Sequence, residues 1–138
     1  MAYQGVCVMQ PKLDLVGIIV RDMPAALNFY RQFGWDIPAA MDSEGHVEYV
    51  LPNGLRIAWD TYDVIRSFDP DWQPASGGHR MGLAFLCDDA AAVDALFQHI
   101  TGQGYRAHKA PFDAFWGQRY AQVLDPDGNV IDLFAPLG

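Results

Sequence analysis

The chain has 138 residues, 51% of them hydrophobic and 19% charged, which predicts a single folded domain over residues 1–138 and excludes a disordered chain. The formal net charge of −8 argues against nucleic acid and anionic membranes as partners. No apolar run is long enough to span a bilayer and no secretory leader is recognisable, so the sequence predicts a cytoplasmic protein. The two cysteines, Cys7 and Cys87, have no zinc or redox spacing, and Cys87 is expected to be a buried thiol.

The first half of the chain has the pattern of a strand, a helix and further strands. Asp22 is a plausible N-cap for the helix, and Gly34 is suited to its end. Residues 1–12 leave three alternatives open: a short strand, a dimer arm or a mobile segment. The predicted elements are a strand at Leu13–Val20, a helix at Asp22–Phe33, a segment Trp35–Met41 leading into the next strand, and strands at His46–Leu51 and Leu55–Asp60.

The middle of the chain, Thr61–Gly78, is predicted to be a loop because of its prolines and its glycine pair. Phe68 and Trp72 are unusual in a loop, so we expect them to cover the core, an interface or a ligand mouth.

The second half repeats the pattern of the first and ends in a β-hairpin. Asp125-Pro126-Asp127-Gly128 supplies the turn chemistry of that hairpin. The predicted elements are a strand at Met81–Cys87, a helix at Ala90–Gly102, a strand at Tyr105–Lys109, a link at Ala110–Gly117, and hairpin strands at Arg119–Leu124 and Asn129–Phe134.

Two pairs of segments indicate an internal repeat. Leu51–Trp59 (LPNGLRIAW) resembles Asp125–Leu133 (DPDGNVIDL), and Val16–Tyr30 resembles Leu83–Phe97. The repeat predicts an α+β fold of tandem βαβββ units, residues 13–62 and 79–136, whose sheets leave a concave cleft between them. Eight main strands and two principal helices are then expected. Chance similarity of two Pro-Xaa-Gly turns is the alternative.

Alternation along the strands directs one set of side chains to the cleft and another to the core. Trp59 is expected in the core, with Trp35 and Trp72 as candidates for the rim of the cleft. Trp116 is the leading candidate for stacking on a ligand. The alternative is that the polar candidates are ordinary solvated residues. The full set of candidate ligand-binding residues is His46, Glu48, Arg56, Asp60, Phe115, Trp116, Tyr120, Gln122, Asp132 and Phe134.

From Leu13 to Pro136 the chain resembles the vicinal oxygen chelate superfamily. The tandem units and the string DPDGNVIDLF are the features that carry this resemblance. The superfamily includes glyoxalases, extradiol dioxygenases and bleomycin-resistance proteins. The strings IAWDT, RSFDPDWQ, GGHR and WGQRYA most resemble its mitomycin-binding resistance proteins. The resemblance further implies a two-fold homodimer.

In metal-using members of that superfamily, the resemblance implies four ligand positions, which in this sequence are Leu15, Ala58, Gly82 and Asp132. Three of these side chains offer no lone pair, so we expect neither a metal nor another cofactor. The sequence then predicts a binding protein, rather than an enzyme, that sequesters a planar, nitrogen-bearing small molecule such as an antibiotic. The alternatives are a lyase or dioxygenase of the same superfamily, or acid–base chemistry at His46.

Overall fold

The structure, a computed structural model, describes residues 10–138, which form two mixed sheets, three α-helices and a 3-10 helix at Ala39–Ser43. The strands are β1 Leu15–Val20, β2 His46–Val50, β3 Arg56–Thr61, β4 Gly82–Leu86, β5 Ala107–Ala114, β6 Gln118–Leu124 and β7 Val130–Pro136, and the helices are α1 Met23–Arg31, α2 Tyr62–Phe68 and α3 Ala90–Gly102. The first sheet has the strand order β1-β3-β2 and the second the order β4-β7-β6-β5. Within each sheet the first strand, β1 or β4, is parallel to its neighbour and the other pairs are antiparallel.

The α+β class is confirmed, but the expected count of eight strands is wrong for residues 10–138, which contain seven. The missing strand belongs to the first sheet, where the chain after α1 forms the 3-10 helix. Arg31, in the last turn of α1, donates to the carbonyl oxygens of Ile37 and Pro38 and pairs with Asp42 at 2.8 Å. These bonds hold the segment against the helix end, so it does not extend along the sheet.

The prediction of a loop throughout Thr61–Gly78 is also wrong, because Tyr62–Phe68 forms α2. The Thr61 hydroxyl caps the helix by accepting from Val64 N at 3.3 Å, and Ile65 is buried. Phe68 is 72% exposed, so it does not cover the core.

The two sheets and the helices α1 and α3 share one hydrophobic core. Trp59 is fully buried in it, which confirms the core assignment made from alternation. The inner faces of the two sheets contribute Val47, Ile57 and Trp59 from the first, and Val123, Ile131 and Leu133 from the second. Their opposite faces, here called the outer faces, carry the candidate residues.

A hydrogen bond between buried side chains links the two halves of the chain. The hydroxyl of Tyr30 on α1 donates to Asp125 Oδ2 at 2.7 Å, in the turn between β6 and β7. Burial, followed by the Asp125 carboxylate, raises the pKa of Tyr30, so this phenol remains a donor. The main-chain N–H of Arg21 adds a bond to Asp127 Oδ1 at 2.9 Å.

In residues 10–138 there is no helix with both the length and the apolar character needed to cross a bilayer.

Candidate functional site

An apolar row crosses the outer face of the second sheet from edge to edge. Register places Leu86 beside Phe134, Phe134 beside Tyr120, and Tyr120 beside Phe112. Leu86 is 69% exposed and the three aromatic side chains are half-buried. The sheet therefore presents a band of apolar surface to its surroundings, which is unusual unless a ligand or partner covers it.

A polar row runs beside the apolar one. Asp132 is in register with Gln122, and Gln122 with Lys109. Both oxygens of Asp132 accept hydrogen bonds, Oδ1 from Gln122 Nε2 at 2.8 Å and Oδ2 from the Tyr120 hydroxyl. Burial and then the bond to Asp132 raise the pKa of Tyr120 to about 12, so the phenol stays protonated at neutral pH. The face thus combines an oriented carboxylate with adjacent aromatic surface.

Trp116 lies in the turn from β5 to β6, at one end of the apolar row. Its ring meets those of Phe112, Phe115 and Tyr120 edge to face, with centroids 6.2, 5.0 and 5.2 Å away, and we call these four residues the aromatic cluster. The indole N–H donates to Gln118 Oε1 at 2.7 Å, which orients the ring. Trp116 nevertheless remains 48% exposed and Phe115 95% exposed, so the cluster has ring surface free for stacking.

The other four candidates lie together on the outer face of the first sheet and bond to one another. His46 Nδ1 lies 2.6 Å from Asp60 Oδ1, and His46 Nε2 lies 2.7 Å from Glu48 Oε2. Arg56 bridges Glu48 at 2.8 Å and Asp14 at 2.5 Å. A carboxylate only accepts, so an imidazole that bonds two of them is doubly protonated. We call these five residues the charged network.

The charged network is expected to make stability depend on pH. Hydrogen bonds that His46 donates to Glu48 and then to Asp60 raise the pKa of His46 above its value in the unfolded chain. The stabilisation is therefore complete below about pH 6.5 and is lost as pH rises through the higher pKa of the folded state. Melting curves of the wild type and of His46→Asn between about pH 6 and pH 9 test this. The difference in melting temperature between the wild type and His46→Asn should become smaller as pH rises. A difference that stays constant over this range would refute the predicted pH dependence.

Among residues 10–138, no hydrogen bond or ring contact joins the charged network to the aromatic cluster. The structure therefore brings the predicted candidates together as two groups, each on its own sheet. Trp35 is not at a rim: it stacks between Tyr30 and Tyr49 against the core.

Sequence reasoning missed two members of these groups, Asp14 and Phe112, and also Lys109 of the polar row. Phe112 was missed because β5 runs through Pro111, which normally argues against a strand. Lys109 was placed in a predicted strand but was not counted among the candidates. The available signal for Phe112 was its spacing of two from Ala110 and Ala114, which continues the alternation. Asp14 precedes β1, and no pattern marked it.

The sequence of residues 12–133 matches the model of the Glyoxalase/Bleomycin resistance protein/Dioxygenase superfamily. The chain belongs to this superfamily. A glyoxalase/bleomycin resistance protein/dioxygenase family enzyme from Burkholderia phytofirmans PsJN is 25% identical, with 92% of this chain and 100% of that one covered and a TM-score of 0.74. A glyoxalase-related enzyme from Fulvimarina pelagi is 20% identical, with coverages of 91% and 88% and a TM-score of 0.76. Among curated proteins, no significant relative of the sequence was found.

Strand register tests the positions at which the superfamily resemblance implies metal ligands. Gly17, two residues after Leu15, pairs with Ala58, and Ala84, two residues after Gly82, pairs with Asp132. The four positions are therefore equivalent in the two sheets, as the repeat predicts.

The residues at these positions do not fit a divalent metal. The side chains of Leu15, Ala58 and Gly82 have no donor atom, so Asp132 is left as a single carboxylate, which does not make a divalent site. Within the described part of the chain, no three His, Cys, Asp or Glu side chains are grouped as a metal site requires. Metal-dependent chemistry of the superfamily therefore has no ligand set at these positions.

Proposed function

We propose that the chain binds a planar, nitrogen-bearing aromatic molecule non-covalently and without a metal, on the outer face of the second sheet. Antibiotics of the mitomycin or bleomycin kind are the ligand class, and sequestration is the biological effect. The observation that carries the proposal is the apolar row beside Asp132. The apolar row and the half-exposed Trp116 supply stacking surface, while the polar row supplies a carboxylate for an N–H donor.

The magnitude of such binding follows from the aromatic contacts. Each aromatic pair contributes about 0.5–1.5 kcal/mol beyond the burial of its area. A ligand that covers both Trp116 and the apolar row makes at least two such contacts. A hydrogen bond to Asp132 would orient the ligand, because the Asp132 carboxylate is itself held in place by Tyr120 and Gln122. Together with the burial of apolar area, these aromatic contacts and the hydrogen bond can give a micromolar dissociation constant.

The test is a calorimetric titration with mitomycin C and with bleomycin, in EDTA and again with added nickel or zinc. Binding of at least one drug with the same dissociation constant in both conditions is expected. Binding that appears only with the metal, or turnover of a ketoaldehyde or catechol substrate, would overturn the proposal and support a metalloenzyme. Absence of binding of both drugs would exclude the antibiotic class.

We also propose that a second copy of the chain lies over the outer faces as a two-fold dimer, as the superfamily resemblance implies. The exposed apolar side chains Leu86 and Phe115, which are 69% and 95% exposed, support this. Light scattering is expected to give twice the chain mass. A chain mass at every accessible concentration would contradict the dimer.

A further inference from the structure

A second concave region lies away from both outer-face groups. Residues 72–83, which comprise the end of the connection between the two units and the start of β4, line a cavity of about 510 Å³, here called the linker cavity. Strand β1 forms one wall, and the start of β7 with the turn before it forms another. The volume is in the range of pockets that hold small organic molecules.

The aromatic wall of the linker cavity is rigidly held. Tyr62 and Trp72 line it with ring centroids 4.9 Å apart at 61°. The Arg66 guanidinium lies 5.6 Å from the first ring centroid and 5.3 Å from the second, and it does not itself line the cavity. Because Arg66 braces both rings from outside, their remaining surface is free to contact a ligand. This gives Trp72 a place at a ligand mouth, one of the alternatives that its position in the sequence left open.

The roof of the linker cavity is loosely held. Residues 73–80 are all exposed, and within residues 10–138 they form no hydrogen bond with any other part of the chain. Gly77 adopts φ +95°, which other residues rarely adopt. A segment held only by packing can move to admit a ligand without breaking hydrogen bonds.

The charge inside the linker cavity is negative on the more buried side. Asp127 lines it half-buried, and among the described residues only its Oδ1 accepts a bond, from Arg21 N. Burial raises the pKa of Asp127, as do the charges of Asp125 and Asp22, while the main-chain N–H of Arg21 and the charge of its side chain lower it. A bound cation would stabilise the ionised form of the Asp127 carboxylate.

His79 and Arg80 also line the cavity, but on the exposed roof, where solvent screens a charge more strongly than at Asp127.

We propose that the linker cavity is a second binding site, specific for a small aromatic amine in its cationic form, with Trp72 and Tyr62 contacting the ring and Asp127 the ammonium group. The proposal does not depend on the function proposed for the outer face.

Three probes with the same indole ring separate charge from stacking: tryptamine is a cation, tryptophol is neutral and indole-3-acetate is an anion. In ¹⁵N NMR titrations of the full chain, tryptamine is expected to shift the amides of residues 72–83 and 127–131. It should bind about tenfold more tightly than tryptophol, and indole-3-acetate should bind most weakly. The proposal is wrong if millimolar tryptamine leaves these amides unshifted, if its shifts fall on residues 112–122 instead, or if either of the other probes binds as tightly.

Variants complete the test. Asp127→Asn keeps an oxygen for Arg21 N but removes the charge, so the preference for tryptamine over tryptophol should disappear. Asp71→Asn changes the net charge equally at an exposed position outside the cavity, and the preference should persist. Trp72→Ala should weaken all three probes about tenfold. Unchanged affinities in Asp127→Asn and Trp72→Ala would refute the site even if tryptamine binds elsewhere.

Discussion

Replacing Asp125 with alanine is expected to lower the melting temperature by about 10 °C, since about 3 kcal/mol of stabilisation is lost. Asp125 is 4% exposed and accepts four hydrogen bonds. The donors are the Tyr30 hydroxyl, the main-chain N–H groups of Asp127 and Asn129, and the Asn129 side chain. The Tyr30 hydroxyl would be left buried and unpaired, and the turn before β7 would lose the three bonds that the Asp125 carboxylate accepts within it.

Two further variants separate this effect from a general loss of charge. Tyr30→Phe removes one of the four bonds and should cost about 1–2 kcal/mol. Asp36→Ala removes an acidic side chain at an exposed position and should leave the melting temperature unchanged. Differential scanning calorimetry measures all three. A melting temperature of Asp125→Ala equal to that of Asp36→Ala would show that the buried carboxylate does not link the two units.

The second large effect is expected on ligand affinity. Trp116→Ala should weaken binding of the outer-face ligand about ten- to a hundred-fold, which corresponds to about 1–3 kcal/mol for an aromatic contact. Its melting temperature should change by no more than about 3 °C, because the indole is 48% exposed and meets Phe112, Phe115 and Tyr120 in edge-to-face contacts. Such a result would show that Trp116 contributes more to ligand binding than to the stability of the fold.

Phe68→Ala is the matched control for this prediction. Phe68 is also a large exposed aromatic residue, 72% exposed at the end of α2, so its removal should change neither affinity nor melting. Calorimetric titration and thermal melting of the same preparations give both quantities. If Trp116→Ala lowers the melting temperature by several degrees and leaves affinity unchanged, Trp116 is a structural residue and the stacking role is lost.

Local patterns in the sequence predicted much of the architecture. The bounds predicted for α3, Ala90–Gly102, are those observed, and the Asp22 side chain caps α1 as expected by accepting from Ala25 N at 3.1 Å. Capping and helical periodicity depend on residues three or four positions apart, so they can be read from a short window. Alternation likewise placed Trp59 in the core, because a strand turns successive side chains to opposite faces.

The elements that were missed depend on long-range contacts. Pro111 argues against a strand, yet β5 includes it because β5 is at the edge of its sheet, with register irregularities between Lys109 and Phe112. Helix α2 packs so close to Gly45 that a Cβ there would lie 2.6 Å from Val64 Cγ2. Neither edge position nor this approach is visible in the local sequence.

The same division holds for the candidate site. The sequence determined which face His46, Glu48, Tyr120 and Asp132 occupy, because facing depends only on a period of two within one strand. Which side chains meet was decided by tertiary structure, because register between strands depends on pairing across distant parts of the chain. Register put Phe112 beside Tyr120 and Asp60 beside His46, whereas Glu48 lies two residues from His46 on the same strand. The linker cavity likewise exists only because the folded units hold β1 and the turn before β7 under one connecting segment.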